Sequence, residues 1–493
     1  MLDRLDHALR SRPERPAVLT AARSGAPRVR ATRGELAELG DAFAAALHAR
    51  GLRAGDTVGV AVRPGPRALA VLLALWRLGL RGAVLDPGAG PDVLRARLAL
   101  ARPSLVLADA TAQAVAGWAR PLARRARLAL PDLAELGPVA TVGPRLPGCA
   151  PALDLAASRA GVPVHRDDDG AGDAVIVFTS GTTSRPRAVV HSRAGLAAGM
   201  ATVAALFDAQ PGRPVLGGTF FVLVPALTGG APVALPARTP RVLARQLHRL
   251  RPQDTYLTPP QLRDALGAGA RFHGRVWTGS APASAALLER VREAGADQAW
   301  GVYALTELFP AAAVEAREKA AFEGPGDLVG APLPGVVAKP GADGELLLAG
   351  EAARHRYLGE EPDPWVRTGD RARLDPAGRI VLEGRCKDMV LRRAENIYPG
   401  LYEPALHVPG VELALLVGVP AGEGDERLVA VVQPDRGVDE PALRSALSGP
   451  LHRMGAARPD ALLFARIPLT GRSRKPDRAA TSALAAQRLG PTA

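Results

Sequence analysis

Val175-Ile176-Val177-Phe178-Thr179-Ser180-Gly181-Thr182-Thr183-Ser184-Arg185-Pro186-Arg187 passes from an apolar run straight into hydroxyls, a glycine and cations. The apolar run reads as a buried strand. Gly181 lets the backbone approach a ligand closely, because no Cβ stands in the way. Thr179, Ser180, Thr182 and Thr183 supply donors, and Arg185 and Arg187 supply positive charge. Donors and guanidinium groups gathered on one loop suit a polyphosphate. The G-x-x-x-x-G-K-[ST] spacing of a Walker loop is absent. An ordinary polar turn also carries hydroxyls, but here they are contiguous, centred on glycine and followed by two arginines.

Around this stretch the chain alternates helix and strand patterns. Residues 32–52 place apolar side chains at helical spacing and stop at Gly51. Residues 56–62 form a short apolar strand, residues 66–78 a helix, and residues 82–87 a second strand closed by a turn. The alternation continues to about residue 310 and predicts parallel βαβ units. There is no fixed-period repeat. Residues 149–173 are poorly patterned, and Asp167-Asp168-Asp169-Gly170 within them reads as a surface loop. After Gly344 short strands and turns take over, at residues 345–349, around Gly369-Asp370 and at residues 379–383, predicting a small β-barrel-like part. The last hundred or so residues carry their own strands (413–417, 428–432) and a helix (440–447), enough for a small α+β domain. The expected fold is therefore α/β: a large N-terminal domain of layered βαβ sheets with the barrel-like part, residues 1–386, then a small mobile α+β domain, residues 387–493.

A chain of 493 residues exceeds one ordinary core, and 47% hydrophobic residues with abundant Gly and Pro mark a globular protein. Cys149 and Cys386 make neither a disulfide framework nor a zinc ribbon, which fits a reducing, cytoplasmic setting. Met1-Leu2-Asp3-Arg4 lacks the layout of a secretory signal. The most apolar run, residues 68–85, has Arg67 at its edge and Arg77 and Arg81 inside, so no transmembrane segment is expected. The net charge of +13 raises nucleic acid as a partner, but the arginines are spread among acidic residues with no aromatic-rich basic module, so none is expected. Of 62 basic residues only Lys319, Lys339, Lys387 and Lys475 are lysine. A position that keeps lysine in such a chain needs a compact charge on a flexible stem.

Thr179-Ser180-Gly181-Thr182-Thr183 with Pro186 resembles the signature loop of the adenylate-forming superfamily: acyl-CoA synthetases, peptide-synthetase adenylation domains and luciferases. The family's Gly-x-Pro-Lys-Gly ending is Ser184, Pro186, Arg187 and Ala188 here. Further motifs follow in order. Thr278-Gly279-Ser280-Ala281-Pro282 resembles Gly-Gly-Ala-Pro near the adenine, and Tyr303-Ala304-Leu305-Thr306-Glu307 resembles Tyr-Gly-x-Thr-Glu. Arg367-Thr368-Gly369-Asp370 resembles Arg-Thr-Gly-Asp, Arg385-Cys386-Lys387-Asp388 the hinge motif, and Lys475-Pro476-Asp477-Arg478 the terminal Lys-x-x-Arg. The resemblance implies that Tyr303 packs on adenine, Thr306 bonds the α-phosphate, Glu307 holds Mg²⁺ and Asp370 takes the ribose hydroxyls. It implies that Arg385 contacts ribose or phosphate, Lys387 is the pivot, and Lys475 is catalytic. ATP and Mg²⁺ are implied, with a carboxylic acid as substrate and CoA or a carrier-protein phosphopantetheine as acceptor.

The fate of the adenylate stays open. After the hinge stands Arg392-Arg393-Ala394-Glu395-Asn396-Ile397-Tyr398-Pro399, where CoA ligases carry Arg-Gly-Gly-Glu-Asn-Ile-Tyr-Pro, and Leu401 replaces the first Glu of a Glu-x-Glu pair that ends at Glu403. The acyl-pocket segment, residues 218–227, is apolar, suits an aliphatic acid and lacks the family's usual His. Residues 303–310 with residues 324–335 loosely resemble β-lactone synthetases, which act on 3-hydroxy acids without CoA. Three outcomes remain: transfer to a thiol, β-lactone closure, or a binding protein without catalysis.

Overall fold

The computed structural model describes residues 2–85, 91–116, 137–165, 172–178, 187–392, 395–422, 425–471 and 474–490. Two large sheets dominate it. The first holds thirteen strands among the described residues. At its centre Asp254–Tyr256, Arg275–Thr278 and Gln298–Tyr303 run parallel, with Tyr256 beside Trp277 and Thr278 beside Gly301. Their carboxyl ends therefore open on one edge, the place where open α/β sheets bind ligands. Beyond Gln298–Tyr303 the strands turn antiparallel through Ala312–Glu315 and Asp327–Pro332. The barrel-like part, with Ile380–Arg385, Val366–Leu374, Glu345–Gly350 and Val336–Pro340, is hydrogen-bonded onto that end.

The second sheet has seven strands among the described residues, ordered Arg356–Tyr357, Ala188–Ser192, Asp173–Phe178, Arg81–Val84, Thr57–Ala61, Leu105–Ala108 and Val139–Thr141. Its last five strands are parallel, as the alternation predicts. Asp173–Phe178 and Ala188–Ser192 are antiparallel instead, with Phe178 opposite Ala188. Residues 179–187 thus join two antiparallel neighbours, and they are fewer than the dozen or so that a parallel crossover needs. Asp173 pins this corner by ion pairs to Arg81 and Arg356, both at 2.7 Å. Burial alone would raise its pKa; the Arg356 and Arg81 guanidinium groups more than offset that and hold it below the usual carboxylate value.

The main core is contributed by both sheets and the helices Arg33–Ala49, Pro66–Leu78, Arg193–Phe207 and Phe220–Thr228. Helix Arg33–Ala49 starts at a capping box in which Thr32 and Glu35 satisfy each other's backbone N–H, worth about 1 kcal/mol. Its apolar face then buries Leu36, Phe43 and Leu47. The C-terminal part has hydrophobic clusters of its own, drawn from residue 390 onward, on the two faces of a sheet formed by Val411–Gly422, Asp425–Pro434 and Ala461–Phe464. Helices Glu440–Arg453 and Arg478–Leu489 contribute to those clusters. No described helix is long and apolar enough to cross a membrane.

Candidate active site

Asp370 lies in strand Val366–Leu374 and Arg385 ends the neighbouring strand Ile380–Arg385, where the register sets them opposite each other. Arg385 Nε is 2.6 Å from Asp370 Oδ1, and the Tyr303 hydroxyl donates to Asp370 Oδ2 at 2.6 Å. Tyr303 is the last residue of Gln298–Tyr303, so one mid-strand carboxylate ties two strand ends together. Asp370 is buried, and its pKa is raised by that burial, which Arg385 and Tyr303 only partly counter. The Tyr303 phenol is pushed well up, first by burial and then by the Asp370 charge. A carboxylate has about four lone-pair sites, so two remain for outside donors such as a vicinal diol.

Lys475 reaches the same place from the C-terminal part. It sits in the short strand Lys475–Pro476, which pairs with Leu469–Thr470. Its side chain keeps contact with solvent, yet its pKa is lowered, first by desolvation and then by Arg385 and Lys387, with Asp370 acting the other way. Lys475 is therefore within electrostatic reach of Asp370, Arg385 and Lys387. Two ion pairs hold this docking at the rim: Arg474 to Asp264 at 2.5 Å and Arg290 to Asp435 at 3.2 Å. Lys387 occupies the 3₁₀ turn Cys386–Asp388. Asp388 pairs with Arg478 Nε at 3.1 Å, and Arg478 makes a bidentate pair with Glu403 at 2.8 Å. The retained Glu403 of the expected pair also accepts from the Leu416 backbone N–H, so it braces the small sheet.

A second group lies in residues 304–311. Glu307 Oε1 accepts from the Tyr357 hydroxyl at 3.0 Å, and the Glu307 carbonyl accepts from the Arg354 N–H. The Thr306 carbonyl accepts from His191 Nε2 at 2.7 Å. His191 is almost fully buried, which lowers its pKa, and its ring meets Phe309 edge-on at 5.6 Å. The Thr-Glu loop is thereby stapled to the strand that leaves the hydroxyl-rich turn. Arg187, at the exit of that turn, lies 4.9 Å from the Tyr357 ring centre.

At the third strand end, Gly279 is buried and a Cβ there would stand 2.9 Å from the Val302 carbonyl, so only glycine fits without a shift. Ser280 then adopts φ +69° and its hydroxyl lies 3.1 Å from the Tyr256 hydroxyl. A non-glycine residue at positive φ costs about 1–3 kcal/mol and clusters at functional sites. Ala281 and Pro282 continue the turn that leads to helix Ala285–Glu293. The apolar segment on this side forms the helix Phe220–Thr228, whose Phe221 ring lies tilted by 35° against Phe309, with ring centres 3.9 Å apart.

The structure thus gathers Tyr303, Asp370 and Arg385 at one point with the Lys475 charge within electrostatic reach, and sets Glu307 and Arg187 against Tyr357, with the Thr306 carbonyl held by His191. Thr179, Ser180, Gly181, Thr182 and Thr183 lie outside the described residues, as do Arg393 and Ala394. Sequence reading missed Tyr357 and His191, which reach the site only by strand pairing across the seven-stranded sheet; His191 does follow the loop closely, which was an available signal. It also missed Tyr256. Of the other lysines, Lys319 is buried against Asp327 at 2.5 Å and Lys339 lies over Trp365. Among the described residues no group of three or more His, Cys, Asp or Glu side chains forms a metal cage. Glu307 alone suits a cation that takes its other ligands from phosphate and water, the usual magnesium arrangement.

The profile of the family described as AMP-binding enzyme matches residues 5–357. The chain is 29% identical to an olefin β-lactone synthetase of Stenotrophomonas maltophilia, covering 90% of each protein. It is 28% identical to a feruloyl-CoA synthase of Amycolatopsis, over 85% of this chain and 86% of that one. An amide bond synthetase from Marinactinospora thermotolerans superposes with a TM-score of 0.77 at 23% identity, covering 98% of this chain and 99% of the other. An o-succinylbenzoate CoA synthetase from Bacillus subtilis does so with a TM-score of 0.74 at 19% identity, over 97% of each. The family match and these relatives make the protein an AMP-forming acid ligase, a class that uses ATP and Mg²⁺. The chain belongs to the AMP-binding enzyme family.

Proposed function

We propose that the protein joins a carboxylic acid, aliphatic in character, to AMP and passes the acyl group to CoA or to a phosphopantetheine thiol. The observation that carries this reading is the buried Asp370 carboxylate held by Arg385 and Tyr303, with the Lys475 charge within electrostatic reach of Asp370 and Arg385. A substrate carboxylate oxygen attacks the α-phosphorus of ATP, and the bond from that phosphorus to the pyrophosphate bridging oxygen breaks. Lys475 holds the carboxylate against the α-phosphate and offsets the charge that gathers there, the part of the barrier that fixed cations lower most. Asp370 orients the ribose through its free lone pairs, Arg385 supports ribose or phosphate, and Tyr303, Gly279, Ala281 and Pro282 frame the adenine. The hydroxyls of Thr179 to Thr183 and Arg187 take the β- and γ-phosphates, and Thr306 the α-phosphate. Mg²⁺ held by Glu307 would screen the phosphate charge.

The chain divides in this reading into residues 1–386 and 387–493, with Lys387 as the pivot that turns the small domain for the second half-reaction. The setting is cytoplasmic. The apolar helix Phe220–Thr228 and the Phe221–Phe309 ring contact favour an aliphatic acid. A second reading, β-lactone closure of a 3-hydroxy acid, is favoured by the 29% identity to an olefin β-lactone synthetase and by Arg393 and Ala394 where CoA ligases carry glycine. One experiment decides: incubation with ATP, Mg²⁺ and a panel of acids, with and without CoA, and product mass spectrometry. A CoA thioester supports the first reading, and a dehydrated product without CoA supports the second. Absence of pyrophosphate with every acid would favour a binding protein.

A further inference from the structure

Tyr357 belongs to none of the motifs read from the sequence. It lies in the edge strand Arg356–Tyr357, opposite Val189 of the strand that leaves the hydroxyl-rich turn. Only 8% of it is exposed. Its hydroxyl donates to Glu307 Oε1 at 3.0 Å. The Arg187 and Arg354 guanidinium carbons stand 4.9 and 4.6 Å from its ring centre. Arg354 is itself fixed, donating to the carbonyls of Asp363 at 3.0 Å and Trp365 at 3.2 Å.

We infer that Tyr357 is a positioning residue: it presets the Glu307 carboxylate for a divalent cation and links that setting to Arg187 at the exit of the phosphate loop. The inference rests on reading Glu307 as the cation ligand. A hydrogen bond to one carboxylate oxygen fixes the plane of the group and leaves the other oxygen to face a cation. Phenol does this without neutralising the carboxylate, which an ion-paired arginine would do. The ring face attracts both guanidinium groups. Arg354, anchored by two carbonyls, holds the ring in place, and the ring in turn holds Arg187 where phosphate arrives. Outer partners of this kind set metal affinity by about 10- to 100-fold.

The test uses Mn²⁺·ATP as the probe, read by electron paramagnetic resonance, and ATP in excess chelator, read by calorimetry, so that turnover is not needed. Tyr357→Phe removes the hydroxyl and keeps the ring: Mn²⁺·ATP should bind about 10- to 100-fold more weakly, with metal-free ATP within about twofold of the parent. Tyr357→Leu removes the ring as well and should also weaken metal-free ATP, because Arg187 loses its support. Glu307→Gln runs alongside. If Glu307→Gln weakens Mn²⁺·ATP and Tyr357→Phe does not, the role of Tyr357 is overturned while Glu307 stands. If Tyr357→Phe weakens both forms of ATP equally, Tyr357 is merely structural and the inference fails. If Glu307→Gln leaves Mn²⁺·ATP unchanged, the cation reading itself fails.

Discussion

Replacing Asp370 by asparagine separates a binding role from a structural one, because the two predict different outcomes. In the folded protein the carboxylate accepts from Tyr303 and pairs with Arg385, both at 2.6 Å. Loss of the charge weakens the first bond from the charged to the neutral class, a difference of about 1 kcal/mol. The Arg385 side chain is 46% exposed, so water replaces most of the ion pair, which is worth about 0–1 kcal/mol. Against these losses stands the cost of burying a charge, the largest influence on Asp370 and the one that raises its pKa. The balance places Asp370→Asn within about 1 kcal/mol of the parent in folding stability. Nucleotide binding should suffer instead. Each lost hydrogen bond from a ribose hydroxyl to the carboxylate removes about 1.5–3 kcal/mol, or roughly 10- to 150-fold in Kd. Urea unfolding and calorimetry with ATP in chelator measure the two quantities independently. The pH dependence adds a sign. With the folded pKa above the ordinary 3.8, the native state holds a proton that the unfolded chain has released, so this group's contribution to stability falls as pH rises from 3.8 through the folded value. Asp370→Asn should lack that fall. A variant destabilised by several kcal/mol with unchanged ATP affinity would refute the reasoning and make Asp370 a strut.

Lys475→Ala should lower pyrophosphate release by about 100-fold or more while ATP binding survives, measured by a coupled pyrophosphate assay and calorimetry. Activity that needs the Lys475 cation should decline with a midpoint below the ordinary 10.5, since burial and Arg385 lower its pKa. Asp264→Arg should slow adenylation several-fold with little change in Tm, because the pair with Arg474 is exposed on both sides and worth only about 0–1 kcal/mol, and adding Arg474→Asp should restore the rate. A Cβ on Gly400 would stand 2.5 Å from the Gly384 Cα, backbone against backbone at the strand end before the turn with Lys387. Gly400→Ala should therefore loosen the seating of the C-terminal part by about 1–3 kcal/mol, seen as faster proteolysis near residue 387 with the Tm of the rest preserved.

The local grammar of the chain carried much of this protein. Apolar spacing set helix Arg33–Ala49 and strand Thr57–Ala61 within three residues of their observed ends, because backbone hydrogen bonding and amphipathic burial act over one or two turns. Resemblance to the family's motifs, taken in order along the chain, nominated Tyr303, Glu307, Asp370, Arg385 and Lys475. The scarcity of lysine narrowed the choice to four positions, and the terminal Lys-x-x-Arg motif singled out Lys475 among them. What the sequence could not supply was adjacency. The His191 hold on the Thr306 carbonyl and the place of Tyr357 between Glu307 and Arg187 depend on segments far apart in the chain. Strand pairing is decided by which faces bury together, a property of the whole core. Periodicity gives a strand's faces; only the assembled sheets decide which neighbour each strand meets.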